Sequence, residues 1–532
     1  MTMFHNLFTF LFTLSLQTQI TNASFHHHKR RLAKNNNGDP KHGNYCTLTR
    51  HWHLSVGDDP STSMIVSFSS HPKCAKSSAP VGAVLIGKEP NKADFVILEQ
   101  NDARMYNATY PNKKKGSLYT SDYYHHVTVD GLDPNTRYYY RCVTVPSVLV
   151  DNIANEEMED AERGLRQQHW DMTSTIAADL AERRRRYLKG GEDNDGAPSF
   201  VTAPAPGNDS RVKFVIMGDL GERTHSYETV AYLDAHREGI NAILLVGDIA
   251  YTQNDHDIWD KWFDMLDATS FASEIPLQIA TGNHDIEQDV ETLDIFVAFE
   301  NRFLMPQVQP AIIETMKGPI DKSLVDYPLP YDFGNAYYAF TYGPARHIVL
   351  SSYSNMDPGS KQYTWLVDQL NEVDRSVTPW LFVSLHCPIY NSFRLHRREP
   401  QLLHAKRFLE PLFVSHHVNI VFAGHVHAYM RTKPVIYDEV NDAGPIYVIV
   451  GNGGRQANAP YHRDEAEDWV LLRDHAEFGY GVLDIINSTH AFWEWEQTGF
   501  NAPEEAGKLG RYEPIEGQSD RGYVQNQFFL KK

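Results

Sequence analysis

Six apolar runs of strand length in this 532-residue chain end abruptly in small polar or metal-binding residues. Val212–Met217 leads into Gly218-Asp219-Leu220-Gly221, Ala242–Val246 into Gly247-Asp248-Ile249-Ala250-Tyr251, and Pro276–Ala280 into Thr281-Gly282-Asn283-His284-Asp285. Trp380–Leu385 leads into His386-Cys387-Pro388, Val418–Ala423 into Gly424-His425-Val426-His427, and Ile446–Val450 into Gly451-Asn452-Gly453-Gly454. Runs this apolar suit strands buried on both faces, with helices between them, as in α/β sheets. Ligands bind such sheets at the carboxyl ends of the strands. The pattern therefore predicts Asp, Asn, His and Tyr side chains gathered along one edge of a single sheet. Taken singly, each motif is ordinary turn chemistry. Together, so many polar groups would repel or lack partners unless cations held them. The pattern predicts a metal site.

Composition sets the outer bounds. The length allows two to four domains at roughly 150 residues each. A net charge of −19 argues against a nucleic-acid binder, which normally presents a basic face. Phe4–Leu16 is too short an apolar segment to span a bilayer and reads as the core of a signal peptide over residues 1–23, with cleavage near Ala23. No later apolar run is long enough for a transmembrane anchor, and the expected location is secreted, extracellular or vacuolar-lysosomal. Sequons at Asn107, Asn208 and Asn487 suit such a route as glycosylation sites. The four cysteines, Cys46, Cys74, Cys142 and Cys387, allow three full pairings and match no Cys-ligated zinc site.

A polar linker over residues 24–44, with His26-His27-His28, precedes a stretch of short β-like segments from Tyr45 to Pro206. Met64–Ser67, Ala83–Ile86, His125–Val129 and Thr136–Val145 are separated by turn signals, which predicts an all-β sandwich of immunoglobulin or fibronectin III type. An insert over about 146–198 reads as helical, with Arg183–Arg186 along a solvated face. The α/β domain is expected over 211–500, with helices at Ser226–Glu238, Asp257–Leu266, Gln362–Val373 and Leu402–Val414. Late strands at Tyr480–Ile486 and Ala491–Glu496 close it, and residues 501–532 read as a polar tail.

Seven side chains supply ligand capacity: Asp219, Asp248, Tyr251, Asn283, His386, His425 and His427. That exceeds the need of one tetrahedral zinc, and a shared Asp248 carboxylate could bridge two ions. His425 and His427, two apart on an extended segment, would project to one side and each serve a different ion. Tyrosine ligates only when a strong Lewis acid removes its proton, since its free pKa is about 10. A phenolate with two carboxylates makes a hard, anionic site suited to Fe(III), whereas Asn with two imidazoles suits a divalent ion such as Zn, Mn or Fe(II).

The motif series Gly218-Asp219-Leu220-Gly221, Gly247-Asp248-Ile249-Ala250-Tyr251, Gly282-Asn283-His284, His386 and Gly424-His425-Val426-His427 resembles that of the purple acid phosphatases, within the metallophosphoesterase superfamily. His126–Leu132 with Asn135–Tyr140 looks like that family's N-terminal sandwich, and Gly359–Leu366 and Asn487–His490 also fit. Other metallophosphoesterases usually carry Asp-x-His in the first motif; here Gly221 stands at that His position and Tyr251 supplies the replacement ligand. The resemblance implies a two-sheet α/β metallophosphoesterase sandwich flanked by helices, behind an N-terminal fibronectin III-like domain. It implies Asp219, Asp248, Tyr251 and His427 on a ferric ion, and Asp248, Asn283, His386 and His425 on a divalent one. His284 and His396 match the family's substrate-contacting histidines, with Asp285 expected to orient His284 by a hydrogen bond. The chain departs from the family at Leu395, Met430 and Asn452, none of them a ligand position.

The expected activity is hydrolysis of small phosphate monoesters by an acid phosphatase, through attack of a metal-bound hydroxide at an Fe(III)–M(II) pair. The enzymatic alternative is a phosphodiesterase or nucleotide pyrophosphatase using the same centre. A non-catalytic binding protein stabilised by its metals is a third reading, but it leaves His284 and His396 without a role.

Overall fold

The computed structural model describes residues 49–72, 79–90, 92–110, 117–146, 197–207, 210–289, 291–306, 316–317, 327–500 and 519–530. The signal-peptide segment, the polar linker, Cys46, Cys74, Asn208 and nearly all of the 146–198 insert lie outside them.

The N-terminal region is all β. Thr49–Val56, Met64–Ser70 and Tyr123–Val129 form one antiparallel sheet, and Phe95–Leu98, Pro80–Gly87, Arg137–Pro146 and Ser199–Val201 form another. Inward residues of both sheets, among them Leu54, Val66, Phe68, Val84, Val127 and Tyr140, share one core. This alternation across two faces is the expected sandwich. The strands before and after the insert, Arg137–Pro146 and Ser199–Val201, pair with each other, so the insert leaves and re-enters at one edge of the sheet.

The α/β region contains two sheets. The first runs Leu277–Ile279, Ala242–Leu245, Val212–Met217, Glu477–Ile485, His490–Phe500 and Arg521–Gln525. The second runs Tyr338–Tyr342, Ala345–Val349, Trp380–Ser384, Ile420–Ala423, Ile446–Val450, Tyr429–Thr432 and Val470–Asp474. All six apolar runs are strands, but they divide three and three between the sheets instead of lining one edge. Each trio is parallel and adjacent; antiparallel strands extend the first, and the second is extended by the parallel strand Ala345–Val349 before antiparallel strands are added. The sheets face each other across one core: Trp493 stacks on Phe422 at 5.7 Å and donates from Nε1 to the Tyr429 hydroxyl at 2.7 Å. Backbone bonds tie the two sets of strand ends together, with Gly218 N donating to Val450 O at 2.8 Å and Gly453 N to Gly218 O at 3.1 Å.

Helices pad the sheets as their patterns require. Asp257–Asp267 buries Trp259, Trp262, Phe263, Met265 and Leu266, and places Asp257 and Asp260 at the positive end of its dipole. Lys361–Asn371 begins at Ser360, whose Oγ accepts from Tyr363 N. The helix expected over Leu402–Val414 is three pieces: α over Pro400–His404, π over Ala405–Leu409, and α over Glu410–Ser415. Pro411 explains the break, since it has no N–H to give to residue 407 and its ring crowds that carbonyl.

The polar tail is also corrected. Arg521–Gln525 pairs antiparallel with His490–Phe500 and completes the first sheet. Only Val524 of that strand is buried, which is why its composition hides it. Asp520, just before it, is buried against Arg431 and the Tyr429 hydroxyl. Cys142 and Cys387 are buried free thiols. Among the described residues no helix is long and apolar enough to cross a membrane.

Candidate metal centre

The carboxyl ends of the two parallel trios meet at one crevice, and the seven expected ligands all lie there. Asp219 and Asp248 follow the strands Val212–Met217 and Ala242–Leu245, and both side chains are buried. Asn283 opens a short 3-10 turn after Leu277–Ile279. His386 follows Trp380–Ser384, and His425 and His427 follow Ile420–Ala423.

Ligand atoms of Asp248, His386 and His425 lie within 4.8 Å of one another, and so do those of Asp219, Asp248 and His427. Asp248 is common to both groups. Tyr251 joins the second: its hydroxyl is 2.6 Å from Asp219 Oδ1 and 2.8 Å from His427 Nε2. Asn283 lies beside the first, its Oδ1 accepting from the Tyr353 hydroxyl at 3.3 Å. His425 and His427 do serve different groups, but by another route than alternation on a strand. The segment bends, and His425 has a left-handed backbone with φ 67°.

Left-handed backbone recurs across the crevice. Asp219 (φ 56°), Asp248 (φ 54°), Tyr251 (φ 58°) and His396 (φ 62°) adopt it as well. For residues with a Cβ this costs about 1–2 kcal/mol each. Strain gathered at one place is a mark of a functional site. Gly247 (φ 93°) is needed for a second reason. A Cβ there would sit 2.4 Å from His386 Nδ1.

The donor set fits cations. His386 Nδ1 donates to Val246 O at 2.7 Å, which directs Nε2 toward Asp248 Oδ1 at 3.4 Å. That buried Nε2 has no hydrogen-bond partner. Burial disfavours its charged form, but the Asp248 carboxylate outweighs this and pushes the His386 pKa up to about 10. An added proton here occupies the place a metal ion fits. Burial, together with the Asp219 and Asp248 carboxylates, pushes the Tyr251 phenol well above its ordinary pKa, so it ligates only against a strong cation. The set also divides by hardness. Two carboxylates and a phenol converge on one side, and imidazoles with an amide on the other.

One histidine stands beside each donor group. The His284 ring lies 4.3 Å from that of Tyr251, and the His396 ring 3.9 Å from that of His425. Asp285 does not orient His284. Its buried carboxylate accepts from the backbone N–H groups of Gly282, Asp248 and Ile249 at 2.8–2.9 Å, and so fixes the loop that carries Asp248. Backbone donors are the nearest to its buried position, and the His284 main chain bonds Asp248 Oδ1 instead.

Sequence reasoning missed Glu399. One oxygen meets His396 Nδ1 at 2.6 Å and the other meets His425 Nε2 at 2.7 Å. Burial would raise its pKa, but the bonds from both histidines prevail and hold it down at about 2. Its spacing of three from His396 was the available signal. Gln456, whose Oε1 lies 3.1 Å from His427 Nδ1, offered none.

Three family models match in chain order. "Purple acid Phosphatase, N-terminal domain" covers residues 49–152, "Calcineurin-like phosphoesterase" 212–429, and "Iron/zinc purple acid phosphatase-like protein C" 444–502. Purple acid phosphatase 18 of Arabidopsis thaliana is 28% identical over 494 residues, 93% of this chain and 91% of its own. Purple acid phosphatase 1 of Ipomoea batatas is 30% identical over 412 residues, 74% and 71% respectively. A purple acid phosphatase from yellow lupin (Lupinus luteus) seeds shares the fold with a TM-score of 0.63 at 18% identity, covering 90% of this chain and 74% of that one. With the sandwich, the two-sheet domain and its C-terminal strands all matched in order, the chain is a phosphatase hydrolase belonging to the purple acid phosphatase family.

Proposed function

We propose that the chain is an acid phosphatase for phosphate monoesters working at a two-metal centre. The ferric position is formed by Asp219, Asp248, Tyr251 and His427. The divalent position, for Zn, Mn or Fe(II), is formed by Asp248, Asn283, His386 and His425. The observation that carries this reading is the Asp248 carboxylate shared by two groups of ligand atoms, each within 4.8 Å. The match to an iron/zinc family model over 444–502 supports the metal pair. When bound, such a pair supplies charge neutralisation at the phosphoryl oxygens and an activated water at acidic pH.

The protein's own groups do the rest. Asp248, fixed by the Asp285-clamped loop and by the His284 N–H on its Oδ1 at 2.7 Å, holds the two positions at one spacing. Glu399, ionised, accepts from His396 Nδ1 and leaves Nε2 as the nitrogen able to carry a proton to a leaving alkoxide. His284, packed on Tyr251, contacts the phosphate from the other side. Leu395, 46% exposed next to His396, gives that rim an apolar element.

Purified protein, its metals counted by elemental analysis, should hydrolyse p-nitrophenyl phosphate faster than the bis-ester at acidic pH. A preference for the bis-ester would favour the phosphodiesterase reading. His284→Ala should lower kcat by about 10²–10⁴-fold with both metals retained. Full turnover in that variant would refute its catalytic role. The route to a secreted or vacuolar location, through cleavage near Ala23, belongs to the same proposal. Exposed Asn107 and Asn487, with Asn208, are its glycan acceptors. Mass spectrometry of secreted protein tests both.

A further inference from the structure

Arg455 stands at the crevice with no role in the scheme above. Its turn is pinned to the first motif, with Arg455 N donating to Asp219 O at 2.9 Å and Gly453 N to Gly218 O at 3.1 Å. Its guanidinium carbon lies 4.9 Å from the centre of the Tyr251 ring. The stem runs beside Gly221, where a Cβ would come within 3.3 Å of both Arg455 Cδ and Tyr251 Cδ2. Gly221 thus leaves the room that Arg455 and Tyr251 fill.

Among the described residues, no carboxylate lies within ion-pair distance of Arg455, and no side-chain hydrogen bond holds it. A second arginine, Arg223, sits at the start of the helix packed on this same turn: its backbone N–H donates to Ser226 Oγ at 3.0 Å, and a Cβ on Gly454 would come within 2.6 Å of Ser226 Cα. Among the described residues Arg223 too has no carboxylate partner. Other arginines of the chain are held by a carboxylate, as Arg211 is by Asp484 and Arg431 by Asp520, or by carbonyl and amide oxygens, as Arg375 is. Two unpaired guanidiniums at the mouth of a phosphate site stand out in a chain of net charge −19. A surface this acidic repels polyanions, so any polyanionic substrate needs a local cationic anchor. The planar fork of arginine matches phosphoryl oxygens in bidentate fashion.

Resting on the phosphatase reading, we propose that Arg455, assisted by Arg223, is a subsite for a second phosphoryl group. The preferred substrates are then esters or anhydrides with at least one phosphoryl group beyond the one being cleaved. The reaction is unchanged, and the arginines set which substrate is held.

The test uses the full-length, metal-containing protein and two non-hydrolysable probes, methylenediphosphonate and methylphosphonate, with binding read by calorimetry. Wild type should bind the diphosphonate about tenfold tighter or more. Arg455→Gln should erase most of that preference, Arg455→Lys should keep part of it, and Arg223→Gln should show a smaller loss. In turnover, Arg455→Gln should raise KM for pyrophosphate more than it changes kcat. The subsite is overturned if wild type shows no preference, or if Arg455→Gln weakens both probes equally. If wild type hydrolyses p-nitrophenyl phosphate yet shows no preference, the subsite alone fails. If it hydrolyses neither that ester nor pyrophosphate, the phosphatase reading fails with it.

Discussion

Two of the buried clusters of ionisable groups among the described residues are built on opposite plans. At the junction of the two domains, Arg302 is fully buried and met on nearly every side by protein. Nε donates to the Tyr106 hydroxyl at 3.0 Å, and Nη2 to the Tyr119 hydroxyl at 2.6 Å and to Asp260 Oδ1 at 3.1 Å. The rings of Tyr124 and Trp259 cover it at 4.9 and 5.6 Å. Three tyrosines from the sandwich thus clamp one arginine of the catalytic domain. At the crevice, by contrast, two buried carboxylates face imidazoles and a phenol, His386 Nε2 has no partner, and the backbone is left-handed at five positions. The junction's charge is met from within the protein, by the Asp260 carboxylate, two hydroxyls and the aromatic faces, although Arg302 Nη1 and the Tyr124 hydroxyl have no hydrogen-bond partner. At the crevice, among the described residues, the Asp219 and Asp248 carboxylates have only histidines as ion-pair partners and no arginine or lysine. That difference in charge balance separates a structural cluster from one built to take a cation.

Substitutions can break the contrast at either end. The largest effect belongs to Asp248→Ala, which removes the donor common to both groups. It should cost both metals and lower kcat/KM for p-nitrophenyl phosphate by about a thousandfold or more, checked with metal analysis. Retained metals with full activity would end the shared-ligand reading. Arg302→Met should leave metal content intact in folded protein while destabilising it by about 3–5 kcal/mol, since Asp260 and two tyrosine hydroxyls lose their partner. Denaturant titration checks this, and an unchanged midpoint would show that the clamp contributes nothing.

Glu300, near the same junction, sharpens the picture through pH. Burial raises its pKa from 4.5 to about 7, despite bonds from Tyr331 and from Asn335 N. A carboxyl raised on folding contributes stability that is full below pH 4.5 and lost as pH climbs through 7. The loss is about 3 kcal/mol over that window. Glu300→Gln, which does not titrate, should flatten the curve of unfolding free energy against pH, and an unchanged slope would assign it elsewhere. The smallest effect on turnover is expected from Tyr251→Phe, where about a tenfold loss should accompany disappearance of the visible tyrosinate–iron band. Persistence of that band would remove Tyr251 from the ligand set.

Much of this was legible in the sequence, for a definite reason. Strands such as Ala242–Leu245 and Trp380–Ser384 are buried on both faces, so their composition announces them, and the residues that follow must sit at their carboxyl ends. Membership of two sheets was not legible from the runs, because it depends on late antiparallel strands such as Glu477–Ile485 pairing with Val212–Met217 across a long sequence gap. Arg521–Gln525 has the composition of a tail because its one buried apolar residue, Val524, gives no pattern. The partners of Asp285 are not legible either, since sequence adjacency to His284 says nothing about which backbone donors surround a buried carboxylate. Glu399 and Arg455 carry no motif of their own, and only their surroundings give them meaning.

The left-handed backbone at Asp219, Asp248, Tyr251, His396 and His425 carries an evolutionary corollary. Glycine relieves the conformational penalty at each of them and erases the donor atom at the same stroke. Selection for thermal robustness alone would therefore drift these five positions toward an inert scaffold. Asp248→Gly should melt higher than Asp248→Ala while being equally dead, which would separate the backbone penalty of the position from the work of its carboxylate.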